Sequence, residues 1–83
     1  MEHELAKFMS DESIPSCSFT TGTVTVNVIT ISGQDLTINQ VDYVKRLSVH
    51  EDGMVAYRLK QTDDSFTDIP GTYQFISFKL ELP

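Results

Sequence analysis

Between Thr23 and Val28 the chain alternates without a break, Thr23-Val24-Thr25-Val26-Asn27-Val28, so one side of the segment is all valine and the other all polar. A helix repeats every 3.6 residues and would scatter these valines, whereas an extended strand lines them up on one face. Ile29 and Ile31 carry the apolar pattern on one residue out of phase, which is the signature of a β-bulge. A second alternating run, Ile76-Ser77-Phe78-Lys79-Leu80-Glu81-Leu82, predicts a well-buried strand that closes the sheet. Glycines at 22, 33, 53 and 71 fall between the apolar runs, where turns belong. The pattern predicts a mainly β fold, either a small antiparallel meander sheet or a five-stranded barrel-like domain.

The hairpin around Glu51-Asp52-Gly53 can be tested for register. A two-residue loop sets Leu47 opposite Arg58, mixing apolar and charged residues on one side. A three-residue loop, with Gly53 in the left-handed conformation, sets Val49 opposite Val55 and Leu47 opposite Tyr57. Arg46, Ser48, His50, Met54, Ala56 and Arg58 then share the outer face, with Arg46 directly across from Arg58. Val41 and Tyr43 keep the parity of Leu47 and Val49, so one long strand is expected from Gln40 to His50, breached only by Lys45. The competing reading is α+β, with a helix near 38–47: Thr37-Ile38-Asn39-Gln40 resembles a capping box, and Asp42 precedes Arg46 at helical spacing. Its apolar residues spread around more than half the circumference, which favours the strand. At the front, Leu5, Phe8 and Met9 recur at helical spacing behind early acids. Residues 1–12 are read as a short helix and lead-in, and residues 13–83 as one antiparallel β domain.

A chain of 83 residues supports one modest core, burying roughly 60% of its unfolded surface. Twelve acids against six bases give a net charge of −6, which disfavours nucleic acid and anionic membranes as partners. No basic-then-apolar leader opens the sequence, and the uncharged stretch from Ser13 to Gln34 is too polar and too interrupted to cross a bilayer. Cys17 is the single cysteine, so no disulfide framework is available and a reducing, cytoplasmic setting is expected.

The chemical inventory is thin. No two glycines stand close enough for a phosphate loop, and no His or Cys pair has zinc-ligand spacing. Cys17 with His50 would be the one nucleophile–base pair, but Cys17 in Ser16-Cys17-Ser18 reads as a small strand residue. Asp63, Asp64 and Asp68 lack the glycine and terminal glutamate of a calcium loop and read as a solvated turn of about ten residues ending at Pro70-Gly71. No catalytic residue, cofactor or metal is expected, and the chain is read as a non-enzyme.

What remains is surface. Lys45, Arg46, Arg58 and Lys60 gather four of the six cations on one hairpin beside His50, where they face either an external anion or internal acids such as Asp42, Glu81, Asp63 and Asp64. Thr23, Thr25 and Asn27 line a strand without a protective charge, which is either central or completed by another chain. The expected function is a protein–protein interaction module, a small acidic inhibitor or adaptor. The alternatives are a subunit that self-assembles as a homo-oligomer through sheet edges and, last, a barrel for single-stranded nucleic acid.

Overall fold

The computed structural model describes residues 3–49 and 54–83. The loop at Glu51-Asp52-Gly53 and His50 lie outside the described residues. Among the described residues one helix, α1 (Glu4–Ser10), precedes β1 (Ser16–Ser18), β2 (Thr23–Thr30), β3 (Asp35–Val49), β4 (Val55–Gln61), β5 (Phe66–Ile69) and β6 (Tyr73–Glu81). All strand pairs are antiparallel, in the order β5-β4-β3-β2-β6, with β1 on β3. The fold is therefore mainly β with a short N-terminal helix, and the segment 38–47 is strand rather than helix. Strands β2 to β5 follow one another as a meander, and β6 crosses to the far side of β2. β5 occupies part of what the sequence suggests is a plain polar loop, because its residues Phe66, Thr67 and Ile69 find partners on β4.

The alternation at Thr23–Val28 does what its period demands: Val24, Val26 and Val28 are buried, and the intervening residues are half-exposed. They join Phe8, Phe19, Val41, Val44, Tyr57, Leu59 and Ile69 in one core. Each fully buried Phe, Leu or Val there contributes roughly 1.5–3 kcal/mol over an exposed one. β2 takes the central one of its two expected places, since β3 pairs along one side of it and β6 along the other. One expectation for this region changes: β6 lies at the edge of the sheet and is half-buried rather than well buried, with Phe75 54% exposed. The register slip expected near Ile29 is present, but the extra residue is Gln74 on β6, and Ile31 lies past the strand, 63% exposed.

β3 carries the larger correction. Val49 pairs with Val55 as expected, but the register then shifts, so Arg46 pairs with Tyr57 and Lys45 with Arg58. A second shift lies between Val41 and Tyr43. Each unpaired residue reverses which face the following side chains take. Val41 and Val44 therefore point inward, Tyr43 and Lys45 outward, and Leu47 is exposed instead of opposing Tyr57. The Lys45 breach in the alternation was the mark of these bulges.

Arg46 consequently lies beneath α1 and not on the outer face. Its guanidinium stacks 3.8 Å from the centre of the Phe8 ring. It donates to the carbonyls of Phe8 and Ile14 and, at 3.3 Å, to that of Asp11. A cation among the open carbonyls at a helix C-terminus satisfies groups the helix itself cannot. At the other end His3 is the N-cap: Nδ1 accepts from the Leu5 N–H at 3.0 Å, which leaves Nε2 to donate to Thr21 Oγ1 at 3.0 Å. The Glu4 carboxylate accepts from the Thr20 N–H at 3.0 Å, so the two-turn helix is tied down at both ends.

Candidate functional site

The outer face of β3, β4 and β5 gathers Tyr43, Lys45, Arg58, Lys60 and Phe66 around a shallow depression. Arg58 stands directly across from Asp68 on β5, and its Nε and Nη2 donate to the two carboxylate oxygens at 2.8 and 3.0 Å. That fork holds the Asp68 carboxyl below its ordinary range and Arg58 above its own. Lys60 lies 2.9 Å from Asp42 and 3.2 Å from Asp64. These carboxylates, Asp42 first and Asp64 second, raise the lysine's pKa. Arg58 and Lys60 thus meet internal acids, and Lys45 alone on this face makes no ion pair among the described residues.

The remaining sequence-derived positions do not converge on that depression. Asp63 is a turn residue, its Oδ1 accepting from the Ser65 N–H at 3.0 Å and from Ser65 Oγ at 2.6 Å, and these bonds hold its carboxyl low. Asp64 adopts the left-handed conformation, φ 68°, that closes the β4–β5 turn. Asn27 donates to Asp35 Oδ1 at 2.7 Å and to Thr37 Oγ1 at 3.1 Å, and Thr25 to Asn39 Oδ1 at 3.4 Å. Thr23, Thr25 and Asn27 therefore belong to a polar layer on the outside of β2 and β3. Arg46 is committed to α1.

For nucleophilic or metal chemistry little is assembled. Burial first, and the nearby Glu4 carboxylate second, push the Cys17 thiol up, which opposes thiolate formation. No group of three or more His, Cys, Asp and Glu is placed to hold a metal ion among the described residues. No helix of the described chain is long and apolar enough to cross a membrane.

A larger feature lies at one end of the inner face, where an apolar cleft of about 690 Å³ opens between the β2–β3 hairpin and the β5–β6 connection. Val28, Leu36 and Ile38 form one wall, and Ile69, Pro70 and Tyr73 form the other. Ile31 and Leu36 at its mouth are exposed, and no lysine or arginine lines it. Tyr73 is fixed by donating its hydroxyl to the Val55 carbonyl at 2.8 Å. Sequence reasoning missed this cleft. The available signal was Ile31 and Leu36 flanking the Gly33 turn, two large apolar residues next to a hairpin tip that an isolated domain has no reason to place there. Comparison with protein-family models, curated proteins and solved structures gave no match.

Proposed function

We propose that this chain is a non-enzymatic protein-interaction module, an inhibitor or adaptor that acts by contact, and that its partner seats in the apolar cleft. The observation that carries the reading is the cleft itself. It is continuous with the core and within the 300–1,000 Å³ span of ordinary binding sites. Its mouth keeps Ile31 and Leu36 in water, which an isolated domain gains nothing by doing. The inward-turned Arg46 and the internally matched Arg58 and Lys60 weaken the case for an external anion, and with it the nucleic-acid alternative. The lone, half-buried Cys17 suits a reducing cytoplasm.

The reading is tested by selecting binders from a displayed random-peptide library against the wild type and an Ile31→Lys variant. Ile31 is exposed and outside every strand, so the substitution leaves the fold intact. Enrichment that disappears with Ile31→Lys supports the cleft. Enriched peptides indifferent to it, or no enrichment, refute it.

Self-assembly is the second reading, favoured by a different observation. β6 is nine residues long and, among the described residues, pairs only with β2, leaving an edge without a strand beside it that carries Phe75 and a single cation, Lys79. Light scattering decides it: a homo-oligomer that persists on dilution supports assembly, and a monomer removes it.

A further inference from the structure

We infer that the cleft accepts an extended, cationic strand of a partner protein, which pairs with the open edge of β3 at Asp35–Ile38. The inference rests on the cleft reading above and adds the conformation and charge of the occupant. β3 pairs with β2 from Asp35 onward, but β4 joins its other side only at Val41. Between these limits the Asn39 and Gln40 carbonyls are taken by Gln61 Nε2 at 2.7 Å and by the Thr62 N–H at 2.9 Å. The edge at Asp35–Ile38 therefore has no strand beside it among the described residues. It is the same length as β5, whose own far side likewise has no strand beside it among the described residues.

The lining places the cleft along these edges. It touches Leu36, Thr37 and Ile38 in a row, and Thr67, Asp68 and Ile69 in a row. Successive residues of a strand point to opposite faces, so a cavity that meets three in succession runs beside the backbone and not only across one face. An apolar trough flanked by unpaired main-chain groups is the geometry of strand addition, in which backbone hydrogen bonds supply affinity and alternate side chains supply specificity. Four residues of edge give about 13 Å of pairing. Alternate side chains of the guest would meet Val28, Ile38, Ile69 and Tyr73.

Charge selects the sign of the guest. Among the described residues no cation lines the trough, and Asp35, which adjoins it, makes no ion pair, on a chain of net charge −6; the Asp68 carboxylate is already held by Arg58 and adds little. Lysine or arginine on the outward positions of the guest is favoured, and glutamate is disfavoured.

Amide NMR of the full chain tests this with capped heptapeptides alternating valine with lysine. An analogue is N-methylated on alternate amides, a second replaces lysine by glutamate, and the apolar dye anilinonaphthalene sulfonate serves as a small-molecule probe. The lysine peptide is expected to shift the amides of Leu36–Ile38 and to slow exchange at Thr37, whose N–H points away from β2, since Leu36 and Ile38 stand opposite Val28 and Val26 in the hydrogen-bonded pairs of the β2–β3 ladder. Both analogues should bind at least tenfold more weakly, and Ile31→Lys should weaken the parent peptide. Equal binding of the N-methylated peptide, preference for glutamate, or occupation by the dye alone overturns the strand proposal while leaving the cleft as a binding site. If no probe perturbs a cleft amide, the cleft reading fails with it.

Discussion

Replacing Arg46 with alanine removes a guanidinium that holds α1 to the sheet through the Phe8, Asp11 and Ile14 carbonyls and through the Phe8 ring. Hydrogen bonds from a charged donor are worth about 1.5–3 kcal/mol each and a cation over an aromatic face about 0.5–2 kcal/mol, but contacts sharing one side chain do not add. Some of the freed carbonyls regain water as the helix end loosens. The expected net cost is about 2–4 kcal/mol, out of a total of about 4–12 kcal/mol for a chain this size. Arg46→Lys keeps the charge but cannot span three diverging carbonyls, and should recover less than half of the loss. Urea titration followed by circular dichroism measures both, with Arg58→Ala as the control because its ion pair with Asp68 is exposed. The sequence-level register, with Arg46 facing Arg58 in solvent, predicts two equal and minor effects. An Arg46→Ala protein as stable as Arg58→Ala would refute the inward placement.

Other consequences can be checked on the same preparations. Gly22 has φ +127° and an added Cβ would meet the Glu81 carbonyl oxygen at 2.7 Å, so Gly22→Ala should cost about 2 kcal/mol or more. Gly33, with φ +90° and open space around it, should cost Gly33→Ala only about 1 kcal/mol, and equal midpoints for the two would contradict the clash. Phe8→Ala should lose about 3–5 kcal/mol, seen as a lowered urea midpoint, because the ring is fully buried. Hydrogen bonds hold the Glu4, Asp11, Asp63 and Asp68 carboxyls below their ordinary values. Their stabilising effect is present above the unfolded carboxylate range and is lost as pH falls through the lowered native values, so thermal midpoints should drop below about pH 4. A midpoint unchanged down to pH 2 would contradict these bonds. Cys17, its thiol pushed up, should react with iodoacetamide at pH 8 more slowly than a cysteine in an unfolded peptide, and equal rates would rule out the burial.

Much of the fold was legible because it rests on local pattern. The valines of β2, the apolar positions of β6 and the spacing of Leu5 and Phe8 each state a period, and the structure follows each. What escaped was decided by tertiary packing. Strand order is not encoded in period, so β2 and β6 could exchange central and edge places without altering either pattern. β5 hid because four residues are too few to display alternation and two of its outward positions are Phe66 and Asp68. The basic face was misdrawn since an undetected bulge reassigns every residue beyond it, and Arg46 gains more from helix carbonyls than from water. The cleft arises between segments remote in sequence, Val28–Ile38 and Thr67–Tyr73, which no local window compares.

The register shifts of β3 also bear on how this sequence tolerates insertion and deletion. A residue added within an unbroken stretch of a strand would turn every later side chain inside out, sending valines to water and lysines to the core. At Val41/Tyr43 and Arg46/Val49 the strand already carries a residue with no partner. Shortening the chain by one there removes a bulge rather than a ladder position, and the question becomes which face Arg46 takes afterwards. In relatives of this chain, gaps in β3 would belong at those two places, and a relative that lacks the second bulge should also lack the arginine beneath its first helix.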